Sequence, residues 1–332
     1  MSHDTLSEVL RSVRLRGAVF YYVSCGDEWA AESPAACDFA PLMPGAEQVM
    51  MYHVVAKGAS WAAVLGEPPV RLAEGDIVVF PHGDPHVMSS APGLRPARAD
   101  AQWTYATRND PKPIPVSYRG AEHVSLTEPA PDAPTNLVCG FLGCDRRPFN
   151  PLIAALPRLL HIPASGDGDW ATHAMMRAVG AAQSGRPGAE AVLERMSETI
   201  FVDALRRYLD ALPDGAGGWL AGLRDRAVGR ALALLHATPA DDWTIEQLSD
   251  RVGLSRSALH ERFVHFVGQP PMQYLAQWRM QLAAQRLLQS NATVAAIAQE
   301  AGYESEAAFS RAFKRIVGAS PAAWRRERVR AP

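Results

Sequence analysis

Ser255–Phe263 reads SRSALHERF, and fifty residues further on Ser305–Phe313 reads SEAAFSRAF. Each stretch begins with Ser, places an apolar residue four positions later (Leu259, Phe309) and Phe four after that (Phe263, Phe313). A Ser that caps a helix, followed by i, i+4 apolar residues, predicts a helix with one buried stripe. A shorter helical pattern precedes each stretch. Ile245, Leu248 and Val252 lie behind a capping Thr244 and run into Gly253; Val294, Ile297 and Ala301 run into Gly302. Glycine ends a helix in the left-handed region and permits a tight turn. The chain is therefore expected to carry two helix-turn-helix units, joined by a long helix over Gln273–Gln289. Two equivalent readers in one polypeptide fit a partner whose major groove returns about every 34 Å, which is double-stranded DNA.

Within the first reading helix, Ala258, Leu259 and Phe263 are expected to face inward, and Arg256, Ser257, His260 and Glu261 outward. In the second, Phe309 and Phe313 are core and Glu306, Ala307, Ser310 and Arg311 face out. Arg311 has the fork for guanine O6 and N7, worth roughly 1–3 kcal/mol of discrimination. His260 and Ser257 offer donors and acceptors, and Glu261 suits a cytosine amino group. Arg256, Lys314 and Arg315 are placed for backbone phosphates.

The 332 residues suffice for two or three domains, and 48% hydrophobic residues support a buried core. A net charge of −2 hides an asymmetry. From Leu220 to Pro332 there are 15 Lys+Arg against 10 Asp+Glu, a net of +5, which leaves 18 against 25 elsewhere, a net of −7. Only the C-terminal part has the charge for a polyanion. No apolar run reaches the ~20 residues of a spanning helix, and MSHDTLSEVLRSVRLRG at the start is amphipathic with no signal-peptide core. A cytoplasmic protein without a membrane partner is expected. Four Cys in such a chain do not make a disulfide framework.

AAIAQEAGYESEAAFSRAFKRIVGASPAAWR resembles the signature of the AraC/XylS family of transcription regulators. The matching residues are Ile297-Ala298, Gly302-Tyr303, Ser305, Phe309 to Lys314, Gly318, Pro321 and Trp324-Arg325. The resemblance covers about Arg224 to Arg330. It implies a seven-helix domain with two helix-turn-helix units, and RNA polymerase as a partner besides DNA. Glu261 departs from the basic or amide residue often found there.

The N-terminal 165 residues are rich in Pro, Gly and short apolar runs. AEQVMMYHVV, SWAAVL, DIVVFP and NLVCGFL read as strands between turns, which suggests a β-sandwich or barrel. Gly75–His86, GDIVVFPHGDPH, resembles the second cupin motif, with Pro81, Gly83 and His86 at its fixed places. The first motif is degraded. After Gly45, Met51 stands where a metal-binding cupin has His, His53 fills the next slot, and no Glu follows. With two of four ligands missing, a dioxygenase-type site is not supported. His53, His86 and Cys139 are expected to converge in the barrel, with a fourth group from Cys144, His82 or a small molecule. Such a set would suit zinc. The alternative is a pocket-lining or core role for all of them. Cys139 and Cys144 are five apart, so both face one way only if the strand bends at Gly143. Redox sensing by Cys25, Cys37, Cys139 or Cys144 would need an exposed, acidified thiol.

GDWATHAMMRAVGAAQ and GAEAVLERMSETIFVDALRRYLDAL show helical spacing. Val192, Met196, Ile200, Phe201, Leu205 and Leu209 make a stripe for a core or for a homodimer, and Pro213–Gly218, PDGAGG, reads as a hinge. The expected architecture is α+β and multidomain: a cupin-like β-barrel sensor over 1–165, a helical linker over 166–218, and an all-α double helix-turn-helix domain over 219–332. The function implied is a DNA-binding regulator answering to an effector, not an enzyme. The competing class is a cupin metalloenzyme fused to a DNA-binding domain.

Overall fold

The computed structural model describes residues 4–36, 38, 43–96, 110, 112–118, 124–125, 130, 132–164 and 170–329. The chain forms two compact units. One comprises Leu15–Cys144 with Leu156–Ala211; the other comprises Met1–Arg14, Asp145–Ala155 and Leu212–Pro332.

The first unit is built on two sheets. Strands β1 (Arg16–Cys25), β3 (Gln48–Lys57), β6 (Ile77–Phe80), β8 (Ile114–Tyr118), β9 (Val124–Ser125), β10 (Thr135–Cys144) and β11 (Leu160–Ile162) form a seven-stranded sheet ordered β11-β6-β3-β10-β1-β8-β9. Strands β2 (Ala30–Ser33), β4 (Ala59–Val64), β5 (Val70–Ala73) and β7 (His86–Ser89) form a four-stranded sheet ordered β2-β7-β4-β5. The expected closed barrel is replaced, among the described strands, by these two separate sheets with a shared core. That core includes Trp29, Val55, Leu72, Val78, Phe80, Met88, Val116 and Leu137. β4 alternates between buried and half-buried residues, the mark of one covered face. β10 is buried along its whole length. Its second face is covered by helix, which is why NLVCGFL is continuously apolar.

Helices α3 (Trp170–Gln183) and α4 (Ala189–Ala211) complete this unit. α4 buries Leu193, Ser197, Ile200, Phe201, Ala204 and Leu205, so Ile200, Phe201 and Leu205 of the predicted stripe are used within the unit, while Met196 and Leu209 are half-buried and Val192 is exposed. The approach of β1 to α4 demands glycine. A Cβ on Gly17 would lie 2.5 Å from Ser197 Cβ and 2.6 Å from the Glu194 carbonyl oxygen.

The second unit is helical: α1 (Thr5–Ser12), α2 (Pro151–Ala154), α5 (Trp219–Arg224), α6 (Arg226–Ala237), α7 (Ile245–Val252), α8 (Arg256–Val267), α9 (Pro271–Gln289), α10 (Val294–Glu300), α11 (Glu306–Val317) and α12 (Pro321–Val329). Its three segments are tied to one another by polar bonds. Gln281 is 1% exposed, yet its amide donates to the Ser12 carbonyl at 2.8 Å and accepts from the Phe149 amide at 3.0 Å. Arg14 forms a two-pronged pair with Asp145 at 2.5 and 2.7 Å. These partners are far apart in sequence, which is why periodicity could not assign them. No helix among the described residues is long and apolar enough to cross a membrane.

Candidate functional site

Both helix-turn-helix units carry their caps. Thr244 and Gln247 form a reciprocal capping box on α7, and Ser255 Oγ accepts from the Ala258 amide at 3.2 Å on α8. Thr293 Oγ1 and Ser305 Oγ do the same for α10 and α11, each at 3.2 Å. Each such bond satisfies a helix-end amide and is worth ~1 kcal/mol. Leu248, Leu259 and Phe263 are buried under the first unit; Ile297, Phe309, Phe313 and Trp324 under the second. Ala258, predicted inward, is exposed. The buried stripe of α8 runs through Leu259 and Phe263, and position 258 lies about 100° around the helix from it.

The outward faces hold the residues expected there. Arg256, Ser257, His260, Glu261, Glu306, Ala307, Arg311 and Lys314 are exposed, and Ser310 is half-buried. The two faces differ in free charge. On α8, Arg256 bonds Glu246 at 2.8 Å, and that hydrogen bond holds the Glu246 carboxyl below its ordinary range. Arg262 grips Asp225 at 2.5 Å, while Asp225 also accepts from the Ala227 and Val228 amides at the start of α6. Partial burial opposes ionisation of Asp225, but the bonds from Arg262 and the two amides prevail and hold its carboxyl below the usual range. On α11, none of Arg311, Lys314 and Arg315 is in an ion pair among the described residues. The acidic partners of Arg256 and Arg262 lie on other elements, so the sequence did not reveal them.

In the two-sheet unit, Gly83 (φ +70°) makes the turn before β7, and a Cβ there would lie 2.3 Å from Ala36 Cβ. The turn delivers His86 to the core with its ring stacked on Phe80 at 3.6 Å and 11°. His53 comes from β3 and Cys139 from β10, directly paired across the sheet. His53 Nδ1 lies 2.9 Å from Cys139 Sγ, and His53 Nε2 lies 2.8 Å from His86 Nε2. His86 Nδ1 meets the Asp84 carbonyl at 3.1 Å. A carbonyl only accepts, so a neutral His86 carries its proton on Nδ1 and leaves Nε2 bare. His53 then donates from Nε2 and accepts the Cys139 thiol proton on Nδ1. Burial keeps all three groups neutral. It lowers His86 to about 4, against a smaller opposing effect of Asp84, lowers His53 well below the ordinary imidazole range with help from His86, and pushes the Cys139 thiol up.

Of the two alternatives for these groups, the three-ligand zinc set finds no common point among the described residues. Zinc needs its donors ~2.0–2.3 Å from one point. His53 turns opposite ring edges to Cys139 and His86, so the three form a row. Among the described residues no three His, Cys, Asp or Glu side chains surround a common point. Neither proposed fourth ligand joins them. β10 pairs regularly with β3 from Leu137 to Cys144, without a bend at Gly143, so Cys144 stays on the face opposite Cys139. His82 is exposed and meets the Leu156 carbonyl at 2.9 Å. Cys25 is also buried, with its thiol pushed up by burial and then by Cys139. It pairs with Thr135, four residues from Cys139, or ~13 Å along the strand, too far for a disulfide. Cys25, Cys139 and Cys144 are all buried, and burial in apolar surroundings disfavours the reactive thiolate. Cys37 lies outside the described residues.

A family model described as a cupin matches residues 4–210, and one described as a helix-turn-helix domain matches 248–327. An AraC-like transcription regulator of Streptomyces lividans is 31% identical over 330 residues, covering 97% of this chain and 98% of its own. The chain belongs to the AraC-like transcription regulators. The HTH-type transcriptional regulator AlkR of Acinetobacter baylyi is 28% identical over 328 residues, with 98% and 99% covered. Among solved structures, the DNA-binding domain of AdpA in complex with a target DNA is 29% identical to this AraC-like regulator. It covers 31% of this chain and 92% of its own, with a TM-score of 0.30.

Proposed function

We propose that this regulator binds specific DNA through α8 and α11, and that a small molecule, metal or redox signal in the two-sheet, cupin-like unit controls its DNA binding or activation. The observation that carries the first part is the pair of capped helices with exposed polar faces on buried Phe anchors. Arg311 reads a base edge, with Ser257, His260, Glu261, Glu306, Ala307 and Ser310 as the other groove-facing residues. Lys314 and Arg256 hold phosphates, Arg256 after exchanging Glu246 for DNA. The sensor part rests on the buried row of Cys139, His53 and His86, a polar group set inside an otherwise apolar core. The inertness expected of the buried thiols favours a bound effector over oxidation at Cys25, Cys139 or Cys144. The protein works in the cytoplasm, as a homodimer, with RNA polymerase as its downstream partner.

The test is a gel shift of the purified chain on its own upstream DNA across a salt series. Specific retardation that weakens steeply with salt supports the reading, because each phosphate contact releases a counterion. Salt-insensitive or absent binding to any fragment in a genome-wide selection refutes it.

A further inference from the structure

We propose that Glu261 makes the first helix-turn-helix unit selective by rejection: its carboxylate accepts the amino group of one cytosine in the major groove and disfavours every other base at that place. This rests on the reading of α8 and α11 as the DNA readers.

Helix geometry singles out the position. Successive residues of an α-helix are turned by ~100°. Glu261 lies two residues from each buried anchor of α8, Leu259 and Phe263, and so ~200° around the helix from both. Arg311 stands in the same relation to Phe309 and Phe313 on α11. Both are exposed, and each follows its capping Ser, Ser255 or Ser305, at the same interval. The two reading helices therefore turn opposite charges outward at equivalent places.

Ion pairing isolates the carboxylate. Arg256 is held by Glu246 at 2.8 Å and Arg262 by Asp225 at 2.5 Å. Among the described residues, Glu261 has no ion pair and no side-chain hydrogen bond. Arg256 and Arg262 against Glu246, Asp225 and Glu261 leave α8 and its partners at −1. Arg311, Lys314 and Arg315 against Glu306 leave α11 at +2. Where α11 has Lys314 and Arg315, α8 has Val264 and His265. The general attraction for DNA thus comes from α11, and α8 adds an unneutralised negative charge.

The groove decides what that charge can meet. The major groove is ~12 Å wide, so a group at its centre is ~6 Å from the phosphate rims, inside the ~8 Å screening length at physiological salt. A carboxylate there is repelled unless a base donates to it. Guanine and thymine present acceptors, adenine sets its N7 acceptor beside its amino group, and cytosine presents an amino donor alone. Cytosine is the base that best offsets the repulsion. Arg311 has the reverse requirement and takes guanine O6 and N7. Selectivity at Arg311 comes from attraction, and at Glu261 from the penalty on wrong bases. The two half-contacts are unlike, so the operator is asymmetric and the chain lies on it in one orientation.

The experiment lets the full-length protein select duplexes from a random-sequence library. Fluorescence anisotropy then measures affinity for the selected duplex and its single-base variants. The expected site has cytosine at one contact and guanine about 10 base pairs away. Replacing that cytosine should cost the wild type roughly 5–150-fold in affinity. Glu261→Ala should erase the cytosine preference by binding the other three duplexes more tightly. Glu261→Gln should move the preference to adenine, whose N6 and N7 match a side-chain amide. Arg311→Ala should instead lose the guanine preference and bind every duplex more weakly. Unchanged base preferences in Glu261→Ala, or an equal loss of affinity on all duplexes, would overturn the proposal; helix circular dichroism confirms that the variant is folded. An effect of Arg311→Ala with none of Glu261→Ala removes this inference alone. No base selection by the wild type, or an Arg311→Ala variant indistinguishable from it, would defeat the reading of α8 and α11 and the inference with it.

Discussion

Gly253 and Gly302 occupy the same turn position in the two helix-turn-helix units, with φ of +76° and +75°, yet replacing each by Ala should have unequal consequences. Both variants force an L-residue into the left-handed region, at roughly 1–2 kcal/mol. At Gly253 that is the whole effect, because an added Cβ would meet nothing within 4 Å. At Gly302 the Cβ would lie 2.4 Å from the Ala240 carbonyl oxygen and 3.0 Å from Ala240 C and Cα. These are backbone atoms, so no side chain can swing aside, and overpacking adds roughly 1–3 kcal/mol. Gly253→Ala should thus cost about 1–2 kcal/mol and Gly302→Ala about 2–5 kcal/mol. Urea unfolding of the full chain followed by helix circular dichroism measures both. Asn tolerates left-handed backbone better than Ala, so Gly253→Asn should recover part of the loss while Gly302→Asn should not. The gel shift should weaken more for Gly302→Ala, since relief of the clash displaces the turn that aims α11. Equal losses at the two sites, or recovery by Asn at both, would refute the packing argument and leave only backbone strain.

Arg311→Ala should cost roughly 1–3 kcal/mol in specific binding and relax preference at one base pair, whereas Lys314→Ala should weaken all sequences alike and reduce the salt slope by about 1; a binding-site selection with a salt series separates them. The buried histidines make stability pH-dependent with a defined sign. His86 is held at about 4 when folded, below its ordinary 6.5, so its contribution is complete above that value and is lost as pH falls towards 4. At ~1.4 kcal/mol per pH unit, about 2 kcal/mol should be gone at pH 5 relative to neutrality, with His53 adding in the same direction. Urea midpoints for wild type and His86→Gln should therefore diverge in slope between those pH values, and parallel slopes would contradict a neutral row. Ser305→Ala should lower stability by about 1 kcal/mol through loss of the α11 cap, read by the same denaturation.

What could be read from sequence alone is set by how local the cause is. Thr244, Ser255, Thr293 and Ser305 bond amides three residues away, so their caps follow from spacing. Leu259 and Phe263 follow from helical period in the same way, and Ala258 marks the width of that stripe. β4 was recognisable because one face is wet, and β10 only as an apolar run because both faces are covered. The His and Cys residues were identifiable by type, but their arrangement depends on the β3–β10 register and on one hydrogen bond between two sheets. Parity could say that Cys139 and Cys144 oppose each other on a straight strand; only the unbroken pairing to Gln48 shows that the strand is straight. The connections that hold Ser12, Asp145 and Phe149 to Gln281 and Arg14 span up to 269 residues of chain and leave no periodic trace. The same holds for Tyr52 and Ser197, 145 residues apart. A β3 residue beside an apparent metal-motif remnant reads as core filling until the helix that receives its hydroxyl is known. The buried Cys–His row is thus written in residue types along β3, β7 and β10, and its surroundings in contacts between elements that no sequence pattern joins.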